Sequence, residues 1–175
     1  MTARRLASPV VAALAALLVL VGLTACGAAG NPSTAAVVGD RVITTEQVAT
    51  TARQINSTKD LQAATGTVTE QTVLYWLVVS GFVEQRIAQT GSWKPDVQYN
   101  SLAAMVTAPT PETLKFLRTN SAVSAMSADD KQAVVAAMQQ ATITMNPRYG
   151  QINLQNGGLV PLSEPWIKAS PAPTA

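Results

Sequence analysis

The side chains that most often perform chemistry in proteins are scarce in this sequence. It contains no histidine, and its single cysteine is Cys26. Histidine is the usual general base near neutral pH and a common metal ligand, and a lone cysteine forms neither an internal disulfide nor a zinc–cysteine cluster. The glycine-rich loop that cradles phosphate and the Gly-x-Ser-x-Gly turn that presents a serine nucleophile are also missing. We therefore expect no metal and no cofactor.

The carboxylates are few and dispersed. Asp and Glu together number ten, and most stand in predicted turns or first helical turns, where the helix dipole favours a negative charge. Folding could still bring two of them together, so a small hydrolase with an acid pair stays open as an alternative. Such sites usually come with aromatic platforms for the substrate, and aromatic residues make up only 5% of the chain. We expect a protein that is not an enzyme.

The sequence before Cys26 has the pattern of an export signal. Arg4 and Arg5 form a basic start, and the run from Val10 to Leu23 contains no polar side chain. That run is shorter than the about 20 apolar residues that a membrane-spanning helix needs. Residues 1–25 are therefore interpreted as a signal peptide.

The segment Leu23-Thr24-Ala25-Cys26 resembles the lipobox of bacterial prolipoproteins. The resemblance implies cleavage just before Cys26 and attachment of diacylglycerol to its sulfur. One acyl chain holds a protein to a membrane only marginally, whereas two or three hold it firmly. We therefore expect an extracytoplasmic protein that is lipid-anchored to the bacterial cell membrane. An ordinary secreted protein with an incidental thiol is the alternative.

The charge and length of the expected mature chain narrow its class. Without residues 1–25, ten basic side chains balance ten acidic ones, so nothing indicates nucleic-acid binding. Residues 26–34 are small and polar and predict a flexible tether. Residues 35–154 are long enough for one domain with its own core. An irregular segment and a disordered tail are expected over 155–175, with Trp166–Ile167 packing back on the domain.

Turn and capping patterns predict the start of the domain. Two β-branched runs around Gly39–Asp40 predict a tight hairpin. Thr44 and Gln47 have the spacing of a capping box, which predicts the start of a helix. Residues 56–66 are predicted to form a loop or a frayed turn.

The most apolar part of the mature chain predicts its central element. Thr67 and Glu70 form a second capping-box pattern before it, and residues 68–89 are predicted to be a helix that ends at Gly91. The stretch Val73–Val79 is apolar on every side. A helix of this kind must be surrounded by other elements.

Three further helices are predicted after the central one. Pro95 suits the first turn of one helix, Thr110 with Pro111 begins the next, and Ser127 caps the last. The alternating segment 141–145 is predicted to return as a strand beside the hairpin. The expected fold class is α+β, mostly α: about five helices around a central apolar helix, with a small antiparallel sheet formed by an N-terminal hairpin and a returning C-terminal strand.

The methionines are candidates for an adaptable binding surface, because flexible thioethers fit varied apolar partners. Helical spacing favours the core for Met105 and Met138, whereas Met126 lies at a predicted helix end and is more open. Met105, Phe116 and Met126 are the candidate peptide-binding residues.

The most specific polar feature is the segment Asn146-Pro147-Arg148-Tyr149-Gly150. Pro and Gly fix backbone geometry, which favours a rigid turn at a strand end, with Arg148 paired to an acid such as Asp40 or Glu46. The alternative is that Arg148 is a binding group.

Three segments together resemble a known family. Ala36–Thr44 resembles the opening hairpin of the SurA-type chaperone domain, which PrsA-like foldases share, and Val73–Gly91 is similar to that domain's long second helix. The ending 146–150 is similar to the C-terminal segment of small actinobacterial lipoproteins that carry this domain. The resemblance covers most of 35–150 and implies a helical cradle that shields unfolded chains. The prolyl-isomerase sites of the family contain histidines, so no isomerase activity is expected here.

These observations favour a non-enzymatic chaperone-like or peptide-binding module for exported proteins. Unfolded or exported protein chains would be its partners, and the lipid anchor would be its contact with the membrane. The alternative is a structural or adaptor lipoprotein that binds one specific envelope partner. An exposed apolar groove between the helices would distinguish the two, because large apolar patches usually mark interaction sites.

Overall fold

The computed structural model of the chain describes residues 31–153 and 158–160. The predicted signal peptide, Cys26 and most of the segment 155–175 lie outside these residues. Within them the chain forms six helices and five short strands. The helices are α1 (Thr45–Asn56), α2 (Lys59–Thr65), α3 (Glu70–Thr90), α4 (Val97–Ala104), α5 (Pro111–Ala125) and α6 (Ala128–Gln140). The strands are β1 (Thr34–Val38), β2 (Arg41–Thr44), β3 (Ile143–Met145), β4 (Gln151–Asn153) and β5 (Gly158–Val160).

The fold class predicted from sequence is confirmed. The chain is mostly helical, and β1, β2 and β3 form a small antiparallel sheet in the order β2-β1-β3. Ala36 pairs with Ile43 on one side and with Met145 on the other, so the returning strand lies beside the hairpin as expected. β1 begins at Thr34, one residue before the predicted start of the domain. The β4–β5 hairpin is not among the elements predicted from the sequence.

The first helix begins as predicted, but the following segment does not form a loop. Thr44 and Gln47 form both hydrogen bonds of the capping box at the start of α1. The sequence predicts a loop or a frayed turn over 56–66, yet this segment contains the helix α2. Its one fully buried side chain, Leu61, anchors this helix of about two turns to the core. A single apolar residue produces no helical periodicity, which explains the wrong prediction.

The central helix α3 is close to its predicted bounds, although its cap differs. Gly91 ends it in the left-handed conformation, with φ of 64°, as predicted. The predicted capping box of Thr67 and Glu70 is wrong, because Thr69 is the N-cap and its side chain accepts from the Thr72 amide. Thr67 and Thr69 are both possible N-caps, and the one nearer the apolar run, Thr69, is the N-cap in the structure.

The caps of the later helices match the prediction with one exception. Thr110 caps α5 with Pro111 in its first turn, and Ser127 caps α6. Pro95 was predicted in the first turn of α4, but Asp96 is the N-cap there and accepts from the Tyr99 amide. An Asp side chain satisfies a free helical amide directly, so the helix begins after the proline.

Two adjoining clusters of buried side chains form the core, and α3 contributes to both. One contains Leu74, Leu77 and Val78 of α3 and packs against α1, α2, α5 and the sheet. The other contains Val79 and Val83 of α3 and packs against α5 and α6. The single helix therefore joins the whole domain. Among the described residues, no helix is both long and apolar enough to cross a membrane.

Arg41 of β2 fastens the sheet to α3. Its Nη1 donates to Ser80 Oγ at 3.0 Å, and its Nη2 donates to the carbonyl oxygens of Leu77 and Val78 at 2.9 and 3.1 Å. The guanidinium lies close to Gly81, where a Cβ would be in ordinary contact with Nη2 at 3.5 Å. Three acceptors around one planar guanidinium make a contact that a point-like ammonium does not reproduce.

We expect Arg41→Lys to lower the free energy of unfolding by about 1–3 kcal/mol, because hydrogen bonds made by a charged group are lost in a partly buried place. Urea unfolding measures this change. The matched control is Arg53→Lys, whose exposed guanidinium donates to Ala49 and Thr50 of its own helix, and for which about 0.5 kcal/mol or less is expected. Equal losses in the two variants would contradict the anchoring role of Arg41.

Candidate functional site

A small cleft with almost entirely apolar walls lies between α3, α5 and α6. Its volume is about 190 Å³. The walls are formed by Tyr75, Trp76, Val79, Val123, Met126, Val134, Val135 and Met138, with Lys131 at an exposed position on the rim. The α6 residues recur at i, i+3, i+4 and i+7 from Lys131, which places them on one helical face. This cleft is the candidate binding site.

Two aromatic side chains of α3 form one wall of the cleft. Tyr75 and Trp76 are half-buried, and their ring centroids lie 5.4 Å apart in an edge-to-face arrangement. Burial raises the pKa of the Tyr75 hydroxyl above its ordinary value, so this phenol stays neutral at physiological pH. The wall therefore offers a large, uncharged contact area with a polar tip.

An ion pair holds the two sides of the cleft together. Arg86 of α3 donates from Nε to Asp130 Oδ1 of α6 at 2.7 Å. The same carboxylate accepts from Ser127 Oγ at 3.0 Å at the start of α6. The Arg86 hydrogen bond, followed by the Ser127 hydrogen bond, lowers the pKa of Asp130 below its ordinary value. A charged pair thus links α3 to α6 beside their shared apolar cluster.

The three residues predicted to bind peptide do not meet in one place. Met126 lines the cleft but is only 5% exposed, and Phe116 is 2% exposed. Phe116 lines a different cleft of about 270 Å³, which shares Trp76 with the first one. Met105 follows α4 and is 39% exposed, so the expectation that spacing places it in the core is wrong. Met138 is buried as expected.

Sequence reasoning did not identify the half-buried residues of the cleft, among them Tyr75 and Trp76. The stretch Val73–Val79 was interpreted as apolar on every side and therefore fully enclosed. Its two aromatic residues instead stay half-exposed, because α5 and α6 pack on α3 without closing over them. A useful signal was present, because the tyrosine hydroxyl and the tryptophan N–H favour positions where one end of the ring reaches water.

The segment 146–150 is a rigid turn that closes the domain. Asn146 donates from its amide to the Ala35 carbonyl and from its side chain to the Thr34 carbonyl, both at 2.9 Å. Its Oδ1 accepts from the Arg148 amide at 3.1 Å, and Gly150 has a φ of 85° that favours glycine. The turn therefore ties the end of β3 to the beginning of β1.

The aromatic residue of this turn connects it to the start of α3. Tyr149 is buried, and its hydroxyl donates to Glu70 Oε2 at 3.1 Å. Burial and the neighbouring Glu70 charge raise the pKa of Tyr149. Arg148 Nη2 lies 3.6 Å from the same carboxylate oxygen, and its guanidinium carbon lies 4.9 Å from the Tyr149 ring centroid. The predicted pairing of Arg148 with Asp40 or Glu46 is wrong: its acid is Glu70.

Two further observations bear on the chemistry of the domain. In residues 31–153 and 158–160, no cluster of three or more His, Cys, Asp or Glu side chains could hold a metal ion.

Comparison of the chain with family models, with curated proteins and with solved structures gave no match. The similarity to SurA-type domains therefore stays a prediction.

The Arg86–Asp130 pair makes stability depend on pH in a defined direction. The pKa of Asp130 is lowered in the folded protein, so its stabilising effect is complete above the ordinary carboxyl pKa of about 4 and is lost as the pH falls through the lower folded value. We expect the difference in unfolding free energy between the native protein and Asp130→Asn to be constant near neutral pH and to narrow below about pH 4.

Unfolding by urea at a series of pH values measures this difference. Asp129→Asn is the control, because it removes an exposed carboxylate from the same helical turn and leaves the Arg86 contact intact. A difference that stays constant from neutral pH to about pH 2 would contradict the role of the pair.

Proposed function

We propose that this protein is a membrane-anchored lipoprotein of the cell envelope that binds exported or unfolded proteins by their exposed apolar side chains, without bond-making chemistry. The observation that carries the proposal is the cleft between α3, α5 and α6. Eight of the nine residues that line it are apolar or aromatic, and they come from α3, α6 and the end of α5. The cleft remains partly open, although the same helices bury most of their other apolar residues.

The size of the cleft defines what it accommodates. Sites for small-molecule cofactors usually measure about 300–1,000 Å³, and this one is smaller, at about 190 Å³. An engineered apolar cavity of about 150 Å³ in another protein binds benzene. The cleft therefore suits one aromatic or branched aliphatic side chain of a partner. A cleft of this size favours recognition of single anchor residues.

The residue types in the cleft favour varied partners. Met126 and Met138 have flexible, polarisable side chains that adjust to different apolar shapes. Tyr75 and Trp76 provide rigid surface at low entropic cost. Contacts of this kind are tolerant of sequence, as a module for unfolded clients requires.

The position of the proposed anchor supports action at the membrane surface. Cys26 precedes Asn31, the first described residue, by five positions, and β1 begins at Thr34. Eight residues span at most about 28 Å when fully extended. Lipid on Cys26 would thus keep the domain close to the bilayer, where exported chains emerge.

The anchor is tested by metabolic labelling with a fatty-acid analogue and by mass analysis of the purified cellular form. We expect the native protein to begin at residue 26 and to carry acyl groups, and Cys26→Ala to incorporate no label. Val135→Glu should retain the label, which separates anchoring from binding. A native chain that keeps Met1 and an unmodified thiol would overturn this part of the proposal.

The cleft is tested by a charge placed at its mouth. Val135 is half-buried in the cleft wall, so a carboxylate there can reach solvent in the free protein but is desolvated when an apolar side chain enters. We expect Val135→Glu to weaken the binding of a reduced, alkylated and permanently unfolded protein about tenfold, equivalent to about 1.4 kcal/mol. Val135→Phe, which fills the cleft without charge, should also weaken binding.

The matched control is Val97→Glu, the same change at a side chain that is 83% exposed on α4 and lies outside the cleft walls. It should leave binding unchanged. Fluorescence titration gives the affinities, and aggregation of the client gives a second measurement. No effect on several unfolded clients at stoichiometric excess would contradict the proposal. Capture of one stable envelope partner, with unfolded chains ignored, would favour the adaptor function instead.

A further inference from the structure

A second cleft, called here the polar cleft, lies between α2, α3, α4 and α5. Its volume is about 270 Å³, and it shares Trp76 with the α3–α5–α6 cleft. None of the described residues that line it is charged. Six of them carry a hydroxyl or an amide on the side chain: Thr65, Thr72, Gln98, Asn120, Ser121 and Ser124. The two clefts therefore differ in the chemistry of what they can hold.

Helical spacing places these polar groups on the faces that meet in the polar cleft. On α5, three polar lining residues stand at i+3, i+4 and i+7 from Leu117, so they share one face of the helix. Thr72 and Trp76 of α3 are spaced i, i+4. Gln98 and Leu102 of α4 have the same spacing. Three helices thus each turn a mixed polar and apolar face towards one space.

Several of these polar groups have hydrogen-bonding capacity that the protein leaves unused. Ser121 is only 7% exposed, and its hydroxyl has no hydrogen-bond partner among the described residues. The side-chain amides of Gln98 and Asn120 likewise form no hydrogen bond to the described part of the chain. A buried polar group without a partner is costly. An unused hydroxyl at this depth in a cleft wall therefore indicates a polar occupant.

Other hydroxyl groups of the polar cleft have already used their protons. Thr65 Oγ1 donates to the Leu61 carbonyl at 2.9 Å, and Ser124 Oγ donates to the Asn120 carbonyl at 2.9 Å. Their oxygen lone pairs remain available as acceptors, whereas the amide N–H groups of Gln98 and Asn120 are donors. An occupant that satisfies this set must both donate and accept at several positions, as a compound with several hydroxyl groups does.

The size and the aromatic surface of the polar cleft narrow the class of occupant. A cavity of about 150 Å³ holds benzene, a bare six-membered ring, so about 270 Å³ has room for such a ring with hydroxyl substituents. Trp76 is half-buried in the wall, and its broad apolar ring suits the C–H groups on one face of a sugar. A charged sugar acid would lose its hydration here without a counter-charge.

We propose that the polar cleft binds one unit of a neutral saccharide. Gln98 and Asn120 donate to its hydroxyl groups, Thr65 and Ser124 accept from them, and Trp76 packs against the ring. The proposal does not depend on the function of the α3–α5–α6 cleft, because Trp76 is the only lining residue that the two share among the described residues.

The test is a titration of the purified full chain with the methyl pyranosides of glucose, galactose and mannose. NMR follows the side-chain amides of Gln98 and Asn120 and the indole N–H of Trp76. We expect at least one glycoside to shift these signals with a dissociation constant in the millimolar range. Cyclohexylmethanol, a similar ring with one hydroxyl, and the glucuronate anion should bind at least about tenfold more weakly.

A linear tetrasaccharide of the sugar that binds distinguishes the source of the ligand. Tighter binding of the tetrasaccharide than of the methyl glycoside would assign the site to a glycan polymer, and equal binding would assign it to a free sugar. Both results support a saccharide site.

A near-isosteric variant tests the polar contacts. Asn120→Leu removes the amide and introduces a better helix former, so the domain should fold, which urea unfolding checks. It should weaken glycoside binding about tenfold. The matched control is Asn100→Leu, the same change at an exposed position of α4 outside the lining, and it should leave binding unchanged. Both variants should keep their affinity for unfolded clients, and Val135→Glu should keep glycoside binding, which separates the two clefts.

Four results would overturn the proposal. The first is the absence of shifts with every glycoside at concentrations well above the millimolar range. The second is equal or tighter binding of cyclohexylmethanol or glucuronate. The third is an equal effect of Asn120→Leu and Asn100→Leu on glycoside affinity. The fourth is tighter binding of a neutral Asn- and Ser-containing tripeptide amide than of any glycoside, which would assign the polar cleft to peptides instead.

Discussion

The requirement that α3 be enclosed governs the rest of the structure. This helix carries buried apolar side chains around most of its circumference, and a helix of that kind is stable in water only when other elements surround it. The sheet and α1 cover one part, α5 and α6 cover another, and β5 also lies against it. The enclosure is incomplete at Tyr75 and Trp76, and that gap is the candidate binding cleft. The same constraint therefore explains both the stability of the core and the place where a partner could enter.

Polar contacts determine how the surrounding elements sit on α3. Arg41 joins the sheet to the middle of the helix through two backbone carbonyls and Ser80. Glu70 at the helix start receives the Tyr149 hydroxyl from the closing turn, and Arg86 near the helix end holds α6 through Asp130. Apolar burial is not directional, so it favours a compact domain but does not choose one arrangement. These hydrogen bonds, spread from the start to the end of α3, provide the directional part.

The fold was largely predictable from sequence because its signals are local. Thr44 with Gln47, Gly91, Thr110 with Pro111, and Ser127 are caps whose chemistry acts over one helical turn, and all of them formed.

The wrong predictions have a different physical origin. Leu61 makes α2 a helix through a tertiary contact that leaves no periodicity, and Arg148 finds Glu70 across the domain instead of an acid near the hairpin. The cleft was missed for the same reason, since the exposure of Tyr75 and Trp76 depends on how far α5 and α6 approach each other. Helix caps could be predicted from residue types, whereas distances between helices could not.

The pairing of Ala36 with Met145 has a consequence for the order of assembly. Strands β1 and β3 stand at opposite ends of the domain in sequence, and contacts between such distant residues form late because the intervening chain must be ordered first. A polypeptide that emerges from a ribosome or a translocation pore with its N-terminus leading exposes the β1–β2 hairpin before β3 is available. The three-stranded sheet can therefore be completed only after all six helices have emerged.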